Sequence, residues 1–348
     1  VAVNRLVIHL YTLCWNEEKM IPFFMDHYED IVDAFIVYDN GSTDRSLELL
    51  ADYPKVSVRH FDTPDDSFVY EELRLSEEVW KESRGVADWV IFVDMDEFIV
   101  GGDLRGYLAE MARDGVSFVR TVGFDMVSKA FPSDDQPIVS QITRGFRAVA
   151  IDKPCIFDPN KVTATNFTLG RHGAFPTGDI KWPDKRNLLL LHYKTLGWDY
   201  YYNRTKFLAT GLKPRDIAEG LGAHYLFSEQ EQQAFFDRRW NRSGPVPGLA
   251  GGLPSEALLV DEADIAQSGL FDLDWYVGTY PHVARSGYDA LSYFTVVGGS
   301  LGEDPSLRFN SRWYTDRYLT ETPMNPLLHY IRLGRQQGFE IQASLVAG

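Results

Sequence analysis

The sequence predicts an α/β chain in two parts. A parallel β-sheet covered by helices is expected over residues 1–242, and a small helical tandem-repeat module over residues 263–348. Three observations lead there. Short apolar runs alternate with amphipathic stretches through the first hundred residues, the order of a sheet built from βα units. A Gly- and Pro-rich stretch, SGPVPGLAGGLPS at 243–255, breaks the pattern and opens a linker drawn at 243–262. Beyond it, one block of sequence occurs twice.

The elements follow in order. Leu6 to Leu13 is apolar and reads as a buried strand. Asn16-Glu17-Glu18 then opens an amphipathic stretch ending near Ile31. Ala34 to Tyr38 is a second strand. It ends at Asp39-Asn40-Gly41-Ser42-Thr43-Asp44, which has turn chemistry, with Ser42 or Thr43 as a helix N-cap. A helix to about Ala51, a strand at Val56 to His60, a helix over Tyr70 to Arg84 and a strand at Trp89 to Val93 complete the alternation. From Gly115 to Tyr193 the pattern is less regular and reads as an extension of the sheet with long loops. Leu188 to His192 is a late buried strand, and Tyr200 to Trp240 is mostly helical. After the linker, Phe271-Asp-Leu-Asp-Trp275-Tyr276 returns as Phe309-Asn-Ser-Arg-Trp313-Tyr314. Asp289-Ala-Leu-Ser-Tyr-Phe294 returns as Asn325-Pro-Leu-Leu-His-Tyr330. Each unit is expected to be a helix pair that buries its aromatics against its neighbour, so these rings are core first and sugar-stacking groups second.

Composition narrows the function classes. With 50 acidic against 34 basic residues the net charge is −16, the wrong sign for a nucleic-acid binder. No long basic run suits an anionic membrane surface. Two cysteines, Cys14 and Cys155, allow one disulfide at most and no multi-cysteine zinc site. The apolar runs are too short to span a bilayer, and no signal peptide is visible.

Ligands of open parallel sheets bind beyond the carboxyl ends of the strands. Asn16-Glu17, Asp39-Asn40 and Asp94 to Glu97 are all expected there. Asp94-Met95-Asp96 directly follows an apolar strand. If the backbone stays extended, Asp94 and Asp96 converge while Met95 faces the core. Two carboxylates so placed can hold one hard divalent cation, with the other positions left to water and phosphate. The plainer reading is a strand that ends in solvated acids. At Asp39 a short acid can accept hydrogen bonds from a base or ribose, while Gly41 allows close backbone approach.

As an ordered set, Thr12-Leu-Cys-Trp-Asn16-Glu17, Tyr38-Asp39-Asn40-Gly41-Ser42-Thr43-Asp44 and Val93-Asp94-Met95-Asp96-Glu97-Phe98 resemble family 2 glycosyltransferases of the GT-A fold. The resemblance covers about residues 5 to 225 and is strongest to a bacterial subgroup reading D-N-G-S-T-D and D-x-D-E-F. The chain departs from the commoner P-T-Y-N-E opening, with Leu13-Cys14-Trp15-Asn16-Glu17 in its place. The resemblance implies a nucleotide-sugar donor, most readily UDP-linked, a divalent metal (Mn2+ or Mg2+) on the diphosphate, and transfer with inversion. It implies that Asn16, Glu17 and Asp39 line the nucleoside pocket, that Asp94 lies near ribose and metal, and that Asp96 ligates the metal. His192, in His192-Tyr193-Lys194, is implied as a third protein ligand, and Lys194 as facing the donor phosphates. Lys153 and His172 would bind acceptor or phosphate. Each of these has a plainer reading as a half-buried or loop residue.

An inverting transfer needs a base for the acceptor hydroxyl. Asp125 is the first choice, because it leaves the sheet downstream of the metal motif. Asp179 is the rival, and Asp134, Asp135 and Asp184 read as loop acids. The resemblance further implies a saccharide or lipid-linked acceptor in bacterial surface-polysaccharide assembly, and a cytoplasmic setting, peripheral at the inner membrane, with the repeats expected to be open to an oligomer or assembly partner. Two other functions compete. A nucleotidyltransferase would carry a Gly-rich basic loop after the first strand, which Cys14-Trp15-Asn16-Glu17-Glu18 is not. A carbohydrate-binding or scaffolding protein with a degenerate catalytic domain would not need Asp94, Asp96 and His192 intact.

Overall fold

The computed structural model describes residues 5–63, 66–183, 188–246, 261–262, 264–285, 290–299, 301–319 and 325–342. It divides into two compact units, Val1–Leu253 and Pro254–Gly348.

The strands of the first unit are β1 (Ile8–Cys14), β2 (Ala34–Asp39), β3 (Val56–His60), β4 (Trp89–Phe92), β5 (Glu97–Val100), β6 (Phe118–Val119), β7 (Val122–Ser128), β8 (Arg144–Arg147), β9 (Ile156–Phe157), β10 (Val162–Ala164), β11 (Thr177–Gly178), β12 (Leu189–Leu196) and β13 (Gly244–Pro245). One sheet has the order β3-β2-β1-β4-β9-β6. Its first four members are parallel, as the βα alternation requires. β9 runs antiparallel to both β4 and β6. A second sheet has the order β13-β8-β7-β12-β5. The α/β class with a parallel sheet is therefore the one observed. The single extended sheet expected beyond Gly115 is instead divided. β6 and β9 complete the first sheet, and β7, β8 and β12 build the second with β5.

β1, β2 and β4 are buried almost throughout, which explains their continuous apolar runs. Tyr11, Phe92, Phe118, Phe157 and Trp80 form one aromatic cluster of this core. The helices Ile21–Tyr28 and Ser46–Ala51 follow β1 and β2. The expected cap by Ser42 or Thr43 is not made. Ser42 Oγ accepts the Asn16 N–H at 2.9 Å instead, and Asp44 Oδ1 accepts the Ser46 N–H at 2.9 Å. The helix Phe68–Glu78 continues as a tighter turn, Val79–Ser83. Helices Trp198–Ala209, Pro214–Ala218 and Glu229–Arg242 fill the stretch read as mostly helical. Cys14 and Cys155 are both buried and free, so the one possible disulfide is not formed. No helix among the described residues is long and apolar enough to cross a membrane.

The expected linker begins as sheet. The Val246 N–H donates to the Thr143 carbonyl at 2.9 Å, and β13 pairs antiparallel with β8. Residues 247–260 of that linker lie outside the described residues. In the second unit, helices Leu273–Thr279 and Ser311–Tyr318 are each capped by a side chain, Asp272 and Asn310. Each is followed by a short helix and a wide turn, Ala290–Tyr293 with Phe294–Gly298 and Pro326–His329 with Tyr330–Gly334. Tyr276, Phe294, Phe309 and Tyr314 meet in one apolar cluster. These rings are core, as the repeat reading expects.

Candidate functional site

The site forms at the turn that joins β4 to β5, where β12 runs between β5 and β7. The Glu97 N–H donates to the Asp94 carbonyl at 3.0 Å, so residues 94–97 make a tight turn. Met95 is buried, as strand alternation expects. Among the described residues, Asp94 and Asp96 share no partner. The backbone is no longer extended at these residues, and the two carboxylates go to different partners.

Asp94 belongs to a buried ionic cluster. Lys153, 3 % exposed, puts its Nζ 2.8 Å from Asp94 Oδ2 and 2.6 Å from Glu97 Oε1. Arg171 reaches the other Asp94 oxygen and also binds Glu72 Oε1 at 2.7 Å. Its guanidinium lies 4.6 Å from the centre of the Phe92 ring. Burial pushes the Asp94 carboxyl up, but Arg171 and Lys153 outweigh it and hold the group far below the ordinary range. Burial likewise opposes charge on Lys153, yet Asp94 and Glu97 raise it well above its ordinary value.

Asp96 faces His192. Its Oδ2 lies 3.4 Å from His192 Nε2. His192 Nδ1 in turn lies 2.7 Å from Asp125 Oδ1, and Asp125 Oδ2 lies 3.0 Å from an Arg239 guanidinium nitrogen. The register explains the line. β12 pairs with β5 on one side and β7 on the other, and His192 is matched with Glu97 and Asp125. Burial would lower the His192 pKa, but Asp96 and Asp125 lift it to about 10. Asp125 is pushed up by burial and pulled further down by Arg239 and His192.

The expected nucleoside-pocket residues hold the neighbouring strand ends together. Asp39 Oδ2 accepts the Gly41 N–H at 2.9 Å and the Ser42 N–H at 3.1 Å. Gly41 sits at φ 72°, where an L side chain is disfavoured. Asn16 Oδ1 accepts the Thr43 N–H at 2.6 Å, so its amide is spent on the second turn. Glu17 pairs with Arg204, which also donates to the Trp15 carbonyl at 2.7 Å. Burial pushes Glu17 up to about 8, opposed by Arg204 and reinforced by Asp96. Lys194, two residues past His192 on β12, donates to Tyr225 Oη at 2.6 Å.

The structure thus brings Asp94, Asp96, Asp125 and His192 together, with Lys153 and Arg171. Asp179 is elsewhere. Its carbonyl accepts from Ser117 Oγ at 2.7 Å, and Ser117 precedes β6 beside the amino end of β4. Asp125 does not leave the sheet. It lies within β7, 5 % exposed, and is held by His192 and Arg239. Asp134 and Asp135 are exposed, and Asp184 lies outside the described residues. Arg204 and Arg239 carry no motif in the sequence, and nothing in their local pattern marks them as site residues.

Among the described residues no three His, Cys, Asp or Glu side chains are placed to hold a metal. Asp96 and His192 nevertheless fit as two ligands. Adjacent positions on a metal at about 2.1 Å from each ligand stand roughly 3 Å apart, close to the 3.4 Å between Asp96 Oδ2 and His192 Nε2. A metal-bound histidine also turns its other nitrogen to a carboxylate, as His192 does to Asp125.

A sequence model of glycosyltransferase family 92 matches residues 5–219, more than half of the chain. The sequence motifs resemble family 2, so the family number differs while the enzyme class agrees. No curated protein sequence matches the chain. Solved structures similar to it include TarS 1-349 of S. aureus, at 14 % identity and a TM-score of 0.33 over 59 % of this chain and 65 % of that one. TarS 1-349 in complex with UDP gives 15 %, 0.35, 84 % and 90 %. Glucosyl-3-phosphoglycerate synthase of Mycobacterium tuberculosis, with Mn2+, UDP and phosphoglyceric acid, gives 20 %, 0.24, 34 % and 43 %. The chain spans less than two thirds of the first of these solved chains, 65 %.

Proposed function

The chain belongs to glycosyltransferase family 92, and from that premise we propose that its first unit transfers a sugar from a UDP-linked donor, with inversion, to a saccharide or lipid-linked acceptor. The natural setting is bacterial surface-polysaccharide assembly. The observation that carries this reading is the line Asp96, His192, Asp125, Arg239 beside the turn from β4 to β5. It sets one carboxylate against one imidazole nitrogen, with a second carboxylate and a guanidinium on the other side of the imidazole.

A divalent cation held by Asp96 and His192 would supply charge neutralisation for the leaving diphosphate. The remaining work falls to the chain. Lys194 sets a second positive charge on the same strand as His192. Asp39 and Asn16 keep the ends of β1 and β2 rigid, where the nucleoside would lie. Asp94 is taken as the anchor of Lys153 and Arg171 rather than as a ligand.

That anchoring favours one second reading, a unit that binds a nucleotide sugar without turning it over. A thermal-shift screen of nucleoside diphosphates and UDP-sugars, with and without Mn2+, followed by measurement of UDP release, separates the two. Stabilisation by UDP with Mn2+, and UDP release from a UDP-sugar, support the transferase. Stabilisation without release supports the binding protein.

A further inference from the structure

Arg204 lies in the second turn of the helix Trp198–Ala209 and reaches back to the end of β1. One guanidinium nitrogen donates to the Trp15 carbonyl at 2.7 Å and to the Asn16 carbonyl at 3.1 Å. The other pairs with the Glu17 carboxylate. One planar fork thus holds three consecutive residues, and the Arg204 and Glu17 side chains are only 15 % and 12 % exposed.

The held segment has left the sheet. The ladder between β1 and β2 ends at Cys14 and Asp39. Asn16 then takes φ 56°, a left-handed conformation that asparagine tolerates better than most residues. The turn after β2 holds the segment from the other side. Ser42 Oγ accepts the Asn16 N–H at 2.9 Å, and Ser46 Oγ accepts the Glu17 N–H at 2.7 Å. The Trp15 ring packs 4.4 Å from the ring of Phe207, on the same helix as Arg204.

That helix is the direct continuation of β12, the strand that carries His192 and Lys194. Gly197 makes the junction at φ 60°. Its N–H donates to the Ser128 carbonyl at 2.9 Å, and a Cβ there would stand 2.8 Å from the Phe131 backbone nitrogen. The helix therefore starts from a fixed point beside β7. β1 and β12 belong to different sheets. No shared ladder sets the spacing between the end of β1 and the strand of His192, and Arg204 bridges the two.

We propose that Arg204 is a positioning residue for the donor, holding the turn Trp15–Glu17 at a fixed spacing from β12. The assignment rests on the transferase reading above. A UDP-linked donor would span both places, its nucleoside at Asn16 and Asp39 and its diphosphate on the side of His192, so its affinity depends on their spacing. A cation alone touches only the side of His192 and does not sense the spacing. Lysine in place of Arg204 keeps a positive charge for Glu17 but lacks the fork that reaches two carbonyls and a carboxylate together.

The test compares the full chain with Arg204→Lys and Arg204→Ala. Calorimetry reads UDP binding with Mn2+ and, separately, binding of Mn2+ alone, and a urea melt checks that each variant is folded. Arg204→Lys is expected to bind UDP about 10- to 100-fold more weakly than the parent and Mn2+ alone within about twofold of it. It keeps a charge beside Glu17, and so reads the effect even where Arg204→Ala does not fold. Added guanidinium is expected to restore part of the UDP affinity to Arg204→Ala. Parent affinity for UDP in folded Arg204→Lys overturns the assignment and leaves the transferase reading standing. A parallel loss of UDP and Mn2+ affinity makes Arg204 a general support of the fold and overturns it too. A parent chain that does not bind UDP overturns the transferase reading, and the assignment with it.

Discussion

His192 Nδ1 lies 2.7 Å from Asp125 Oδ1 because β12 and β7 run parallel with these two residues as register partners. The pair fixes the imidazole plane and leaves Nε2 facing Asp96. Asp125→Asn keeps the shape of the side chain but gives Arg239 and His192 a neutral partner. Mn2+ affinity is expected to fall about 10- to 100-fold, and stability by roughly 1–3 kcal/mol. Calorimetry with Mn2+ and a urea melt read the two separately. Unchanged Mn2+ affinity would show that the pair serves folding alone.

The same residue sets a pH dependence. His192 is raised by its carboxylates to about 10, against an ordinary value of 6.5. A group raised on folding stabilises fully below its unfolded value, and that stability is lost as pH rises through the folded value. The metal-free chain should therefore lose stability between about pH 6.5 and 10. Mn2+ must displace the same proton, so its affinity should rise over that window with about one proton released per ion. Calorimetry in buffers of different ionisation enthalpy counts the proton. Mn2+ binding that ignores pH would exclude His192 as a ligand.

Lys153→Met probes the ionic cluster. The substitution leaves Glu97, 1 % exposed, and Asp94 without the ammonium between them. Removing one partner of a buried ion pair costs roughly 3–5 kcal/mol, so the urea midpoint should fall sharply. A loss under about 1 kcal/mol, the scale of a surface pair, would mean that Arg171 alone suffices to hold Asp94.

The second unit carries an equivalent close approach in each half. A Cβ at Gly298 would stand 2.0 Å from Tyr276 Oη, and one at Gly334 would stand 2.2 Å from Tyr314 Oη. Both tyrosines are fully buried. Gly298→Ala and Gly334→Ala are each expected to cost roughly 1–3 kcal/mol through overpacking, read by a urea melt of the full chain. A neutral effect at one position only would show that the two halves do not pack alike.

The strands of the parallel sheet were legible because each is buried on both faces and so reads as an apolar run, Val56–His60 excepted, where turn residues marked the ends. The strand ends were legible for the same reason, and with them Asp39 and Asp94, whereas the strand read as ending at His192 runs on to Leu196. What Asp94 does was not. Its cations come from positions 59 and 77 residues later, and no local pattern announces a partner that distant. Alternation also fails where a strand stops. The backbone turns tightly at Asp94–Glu97, and the two carboxylates take separate partners. Asp125 was expected to leave the sheet, whereas β7 runs to Ser128 and buries it.

The most direct test of a metal-held UDP site is a calorimetric titration of UDP into the full chain and Asp96→Asn, each with Mn2+ and with excess EDTA. The parent should bind UDP with Mn2+ at least about tenfold more tightly than in EDTA, the scale of a lost metal ligand. Asp96→Asn should show one weak affinity in both conditions while melting as a folded protein. Equal affinity of the parent with Mn2+ and in EDTA would contradict the account.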